Sequence, residues 1–548
     1  MQVKSAWVKP PPQVGGLDHL AVQAPCINIY GRLLPGITNV TDRARYYSFY
    51  PWLIWAFDQA GFAKYDDGFI ERFRRADCLF SLIAERHAVA VGGPHDNHAA
   101  AIVGSNTLNA VASALDDESK ITLSHYSLRN GAKARYFANR LGGLGQYYLG
   151  VLRELNVLDG DTHQGIKYTR QIGGEIATRV DAGVNRKLFL KIVESGVVSR
   201  SDLDKLSAFC PCRLANNEAE QSILADLFFV RGPFHDPDAL PRRRSLQSLL
   251  NLTALLSKEG LGASEEMFRG CAYSGHLPSG TRWEVAPNQI ENQEKWAVYA
   301  RNEILSIAVQ GLFHAVLDAY EESGLWLDSG TQVADWFVKR PETQEAIDIV
   351  GRQAFSQCVT RSTTWLPEIT QWQAPDHEVI LMDKIVQLSR GPKSSDARRE
   401  IVAASLRTMI ALAYRSDHSS DPYLAIAFDK GYFDYYPINL RSFAGHTVGT
   451  WSAMPMEKVL QWTLTHWCIE LHLRVALRKL RGQSQSTFRI RPSERGMEII
   501  AVPPAVHTRP RFSQAIRILK DIGALDMKDG AWFPSCLGRT FMELGDAP

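Results

Sequence analysis

The chain has 548 residues, 45% of them hydrophobic and 22% charged, with a formal net charge of +2. This profile excludes a disordered, fibrous or collagen-like protein, and the length exceeds what one hydrophobic core serves, so about two to four domains are expected. No apolar run resembles a signal peptide or a membrane span, and the eight cysteines are irregularly spaced as reduced thiols would be, so a cytoplasmic protein without a membrane partner is expected.

Residues 1–30 read as an extended, proline- and glycine-punctuated arm. The densest chemistry follows in residues 35–57, PGITNVTDRARYYSFYPWLIWAF, where seven of the twelve residues 46–57 are aromatic. Thr38, Asn39 and Thr41 can each cap a helix, Asp42 suits a first turn, and Pro51 predicts a kink or a break. Large side chains at helical spacing mostly pack, so the aromatics read as the core of an N-terminal domain. A sharper reading has Arg43, Arg45 and one or two tyrosines stacking bases and holding phosphates. The pattern P-G-x-T-x-x-T-x-R-A-R-Y-Y-x-F-x-P-W-x-x-W resembles that of a group of bacterial cytoplasmic proteins of unassigned activity, associated with phage-defence and mobile-element gene neighbourhoods. The resemblance covers about the first sixty residues; it implies a defence setting and carries over no catalytic residue.

Residues 69–90 have apolar positions three and four apart, which predicts an amphipathic helix with Arg72, Arg74, Arg75 and Arg86 towards solvent. Gly92, Gly93 and Pro94 end it. His95 and His98 in GPHDNH lack a third metal ligand at suitable spacing. Residues 144–180 then read as helix, β-hairpin, helix, the second half of a winged helix. The same plan recurs at residues 509–544. In the later copy the helix would expose Arg511, Gln514, Arg517 and Lys520, long donors suited to phosphates and base edges. The earlier copy offers Gln146, Tyr147, Arg153 and Glu154. Winged helices also serve as protein–protein joints.

Residues 181–410 read as helical, with Ser201 capping a helix and Arg242, Arg243 and Arg244 at another helix start facing a carboxylate, a phosphate or water. Cys210 and Cys212 in FCPCRL would suit zinc, but no C-x-x-C partner accompanies them, so they read as buried thiols. The longest amphipathic segment is 296–320, and residues 391–400 read as a flexible joint. Beyond residue 411 two hairpins are predicted, around residues 429–431 and over 487–502, the second with Arg489 and Arg491 on one face. Between them lies a long helix over 456–481, basic towards its end.

Between residues 472 and 520 eleven basic residues stand against Glu494 and Glu498, a local excess of nine. Such an excess is the usual footprint of a phosphate-binding surface or of a contact for an acidic partner. No phosphate-loop, dinucleotide, zinc-protease or nucleophile-elbow motif is present. His466 and Glu470 beside His472 read as packed histidines, and Asp376, Glu378, Asp383 and Lys384 lack the spacing of a nuclease set. No reaction, cofactor or metal is assigned.

The expected fold is mainly α and multidomain, a helical bundle core with two winged-helix-like modules and short β-hairpins. The expected domains are 1–130 (helical, with the aromatic helix), 131–185 (winged-helix-like), 186–410 (helical) and 411–548 (basic, with the second module). The expected function is binding of DNA or RNA within a bacterial anti-phage assembly of several subunits. Its contact residues would be Arg489, Arg491, Arg509, Arg511, Gln514, Arg517 and Lys520, with Arg43 and Arg45. The alternatives are a protein-interaction scaffold or a nuclease with a dispersed metal site.

Overall fold

Burial of the aromatic helix organises one of the two units into which the chain divides. The computed structural model describes residues 18–62, 65–91, 101–131, 134–161, 165–418, 436–482, 486–528 and 530–546. Among these the molecule is mainly helical, with four two-stranded antiparallel sheets. No described helix is long and apolar enough to cross a membrane. One unit comprises residues 31–265, 285–292 and 511–548, and the other residues 1–30, 266–284 and 293–510. The first therefore joins the aromatic signature to the last thirty-eight residues of the chain.

In that unit the helix Arg45–Gln59 is one element, unbroken at Pro51. A proline inside a helix costs about 3 kcal/mol, while a buried large apolar side chain returns roughly 1.5–3 kcal/mol. Tyr46, Tyr47, Phe49, Tyr50, Trp52 and Phe57 are all buried, so burial wins. Phe49 stacks on Phe80 at 4.0 Å between centroids, and Trp52 meets Phe189 and Phe209. None of the threonines caps this helix. Thr41 Oγ1 accepts from the Thr38 amide instead, and the Ala44 amide just before the helix donates to Asp521 at 3.0 Å.

The helix Asp67–Val91 forms where its periodicity indicates, but Arg74 and Arg86 are buried rather than solvated. Arg74 donates to the carbonyls of Ser127, Phe137 and Asn139, and Arg86 pairs with Asp204 at 2.9 Å. The helix Arg200–Lys205 is capped by Ser199 in a capping box with Asp202, two residues before the expected cap. Arg242 and Arg243 are also buried. They donate to carbonyls at the end of the helix Glu218–Phe228, those of Leu227 and Phe228 for Arg242 and that of Phe229 for Arg243. Cations suit that end of a helix, where unpaired carbonyls gather. Burial nevertheless pushes Arg242 down to about 10.

Helix, hairpin, helix occurs twice in this unit. The first module runs Leu149–Glu154, Leu158–Asp161 with Gly165–Tyr168, and Gly173–Asp181. A single π-helical turn, Leu144–Tyr148, precedes it. The second runs Phe512–Asp521, Leu525–Lys528 with Ala531–Pro534, and Cys536–Met542. Their turns match bond for bond. Val157 and Ala524 each donate to a carbonyl five residues back, Leu152 and Leu519, both at 2.8 Å. Thr169 Oγ1 donates to Asn156 O and accepts from Gly173 N, as Ser535 Oγ donates to Gly523 O and accepts from Gly538 N. Asn156 and Gly523 hold the positive φ this turn needs.

The other unit centres on residues 293–323 of the helix Ile290–Ser323, whose Trp296, Tyr299 and Arg301 are buried. The helices Glu378–Arg390 and Ser395–His418 pack on each other, so only residues 391–394 remain of the expected joint. The predicted hairpin over 487–502 is present as Ile490–Ser493 paired with Gly496–Ile499. His95, His98, the N-terminal arm to residue 17 and the hairpin around residues 429–431 lie outside the described residues.

Candidate nucleic-acid interface

Arg43 and Arg45, read as possible phosphate ligands, are 2% exposed. Arg43 makes a two-pronged pair with Asp521, Nε to Oδ2 at 2.9 Å and Nη2 to Oδ1 at 3.0 Å. Arg45 does the same with the fully buried Glu220 at 3.1 and 2.6 Å, and its Nη1 donates to the carbonyls of Ala208 and Cys210. Ser48 Oγ also donates to Glu220, at 2.7 Å. A charge pair this deep is stable only when nearly every donor and acceptor is matched, as here.

The second module's cations meet the loop that precedes the aromatic helix. Arg511 donates to the carbonyl of Leu34 at 2.8 Å, Gln514 to Asn39 O and Asp42, and Arg517 pairs with Asp42. Lys520 lies over the Trp532 ring at 4.6 Å, on the module's own hairpin. Arg511, Gln514, Arg517, Lys520, Arg43 and Arg45 are thus residues of one unit, and five of them bond to acidic or carbonyl oxygens of that unit.

Arg489, Arg491 and Arg509 belong to the other unit. Arg491 pairs across its hairpin with Glu498 at 2.9 Å, in the register Arg491↔Glu498. Arg489 lies just outside the strand and is buried, whereas Arg491 is 43% exposed, so the two do not form one exposed face. The Arg489 amide donates to His472 Nε2 at 2.8 Å, and His472 Nδ1 donates to His19 O at 3.1 Å. Both ring nitrogens are then matched in the neutral form, and burial holds His472 down to about 4. Lys479 Nζ donates to Asp18 O, and burial lowers its pKa too. Arg509 is exposed.

The carboxylates Asp42, Glu220 and Asp521 were missed as partners, although Asp521 directly follows the window over which the excess of nine was counted. A second omission concerns the thiols: His87, near the end of helix Asp67–Val91, lies with Nδ1 3.3 Å from Cys212 Sγ. The residues considered for a nuclease are apart in their bonding. Glu378 is held by Arg415, Tyr273 and His377, Asp376 by Arg407, Asp383 by His507, and Lys384 by Glu400. His466 and Glu470 form a half-exposed pair at 2.9 Å.

Comparison of the chain with family models, with curated proteins and with solved structures gives no match.

Proposed function

We propose that this chain is an interaction scaffold within an assembly of several subunits, and that its helix–hairpin–helix modules are winged-helix-like joints. One observation carries the reading: Gln514 and Arg517 of helix Phe512–Asp521, and Arg511 before it, bond to residues 34–42 of their own unit. A helix that reads nucleic acid holds such donors out to a groove. The bacterial defence setting rests on the resemblance of residues 35–55.

A second reading, binding of DNA or RNA, is favoured by Arg474 and Arg478. They are exposed one turn apart on the helix Leu471–Gly482, with no carboxylate bonded to either among the described residues. Fluorescence anisotropy with duplex DNA, single-stranded DNA and RNA at low and physiological salt separates the two. A scaffold gives no saturable binding at physiological salt, while forming a complex with a co-expressed neighbouring gene product that survives gel filtration. Binding that weakens with salt and disappears in Arg474→Ala/Arg478→Ala supports the second reading. Binding that disappears in Arg511→Ala/Arg517→Ala/Lys520→Ala overturns the first.

A further inference from the structure

The arginine signature leads to a place that the sequence left unused. Arg45 Nη1 donates to the carbonyls of Ala208 and Cys210 at 2.5 and 2.7 Å, so it holds the turn on which Cys210, Pro211 and Cys212 follow one another. Short 3₁₀ segments, Ser207–Phe209 and Pro211–Asn216, flank Cys210, and Pro211 restricts the backbone between the thiols. Both sulfurs face the same way, 3.3 Å apart. His87 arrives from the helix Asp67–Val91, and the three donor atoms lie within 4.8 Å of one another.

Those separations select a chemistry. A tetrahedral zinc ion, with thiolate bonds of about 2.3 Å and imidazole bonds of about 2.0 Å, spaces its donors roughly 3.5–3.8 Å apart. The sulfur–sulfur distance and the Cys212 Sγ–His87 Nδ1 distance, both 3.3 Å, reach those values by a shift of a few tenths of an ångström, and the Cys210–His87 separation, within 4.8 Å, needs to close by at most about 1.3 Å. Two thiols and one imidazole are the donor set of a borderline-soft divalent cation, not of magnesium or calcium. His87 and Cys210 are buried and Cys212 is half-buried, which gives the cluster a fixed floor and one accessible side.

We propose that His87, Cys210 and Cys212 bind zinc, with the accessible side leaving a further coordination position for solvent or a ligand. Binding requires proton movements that the geometry specifies. His87 Nε2 accepts from Arg213 Nε at 3.1 Å, which leaves the ring proton on Nδ1, facing Cys212. When Nδ1 becomes the ligand, that proton transfers to Nε2 through solvent and Arg213 swings away. Both thiols deprotonate to thiolates, so two protons are released per metal. Because both thiols must lose a proton, zinc affinity rises with pH across neutrality.

The test uses the full chain without a histidine tag, purified in reducing, chelator-free buffer. Elemental analysis should find one zinc per chain, and cobalt(II) added to protein stripped of metal should give thiolate-to-metal charge-transfer bands and the strong visible bands of a tetrahedral ion. Cys210→Ser and Cys212→Ser should each lose the zinc and the charge-transfer intensity while keeping the wild-type circular dichroism. Should a serine variant fail to fold, protection of the wild-type Cys212 thiol from alkylation by added zinc gives the same answer. Two outcomes overturn the proposal: no zinc and no cobalt bands with reduced thiols, or zinc retained undiminished in both serine variants.

Discussion

The first and second helix–hairpin–helix modules are built with the same turn and put to different use. Glu154 and Asp521 occupy equivalent places at the ends of their first helices, three residues before the residue that donates to Leu152 O or Leu519 O. Glu154 is exposed. Asp521 is 6% exposed on its side chain, binds the Arg43 guanidinium and accepts from the Ala44 amide. Arg153 is likewise exposed where Lys520 lies against Trp532. The module therefore sets where a charge is held, and the neighbouring chain decides whether that charge is available to a partner. A count of basic residues measures the first and not the second.

The comparison breaks most sharply at those two acids. Asp521→Ala leaves Arg43 buried without its carboxylate and is expected to destabilise the unit by about 3–5 kcal/mol in chemical denaturation. Glu154→Ala, an exposed change, should stay within about 0.5 kcal/mol. Equal effects of the two would deny the distinction between the modules. The shared turn is tested next, because a Cβ at Gly173 or Gly538 would lie 2.3 Å from Val157 O or 2.1 Å from Ala524 O. Alanine at either glycine should cost about 1–3 kcal/mol, whereas Gly174→Ala, whose nearest neighbour is at 3.6 Å, should be neutral or stabilising in thermal melts. A harmless Gly538→Ala would mean that the second turn is not built like the first. The smallest effect falls on Arg517, 41% exposed beside Asp42. Arg517→Ala should lower stability by less than about 1 kcal/mol, and Arg153→Ala, an exposed change in the first module, should not measurably alter it.

Much of this architecture was readable in the residues. Seven aromatics in twelve positions left residues 46–57 no alternative to burial, and the recurrence of helix, hairpin and helix follows from local turn chemistry at Asn156, Gly173, Gly523 and Gly538. Pairing across the sequence was not readable. Arg43 and Asp521 lie 478 residues apart, and Arg45 and Glu220 lie 175 apart, so neither spacing nor periodicity links them. Amphipathic periodicity misjudged Arg74, and the solvated helix start misjudged Arg242 and Arg243, because a guanidinium can be buried wherever backbone carbonyls are gathered to receive it; Arg86, also expected in solvent, is buried against Asp204. The thiols show the same limit. Cys-Pro-Cys was visible as a pair, while its third neighbour, His87, comes from a helix more than a hundred residues earlier.

Arg43 and Arg45 hold the fold together through carboxylates brought from distant parts of the chain. A double-mutant cycle on Arg43→Ala and Asp521→Ala, read as unfolding free energy in denaturant, tests it most directly. A coupling of at least about 1 kcal/mol between the two changes is predicted. Additivity within about 0.5 kcal/mol would contradict it and return Arg43 to the pool of cations available to a phosphate.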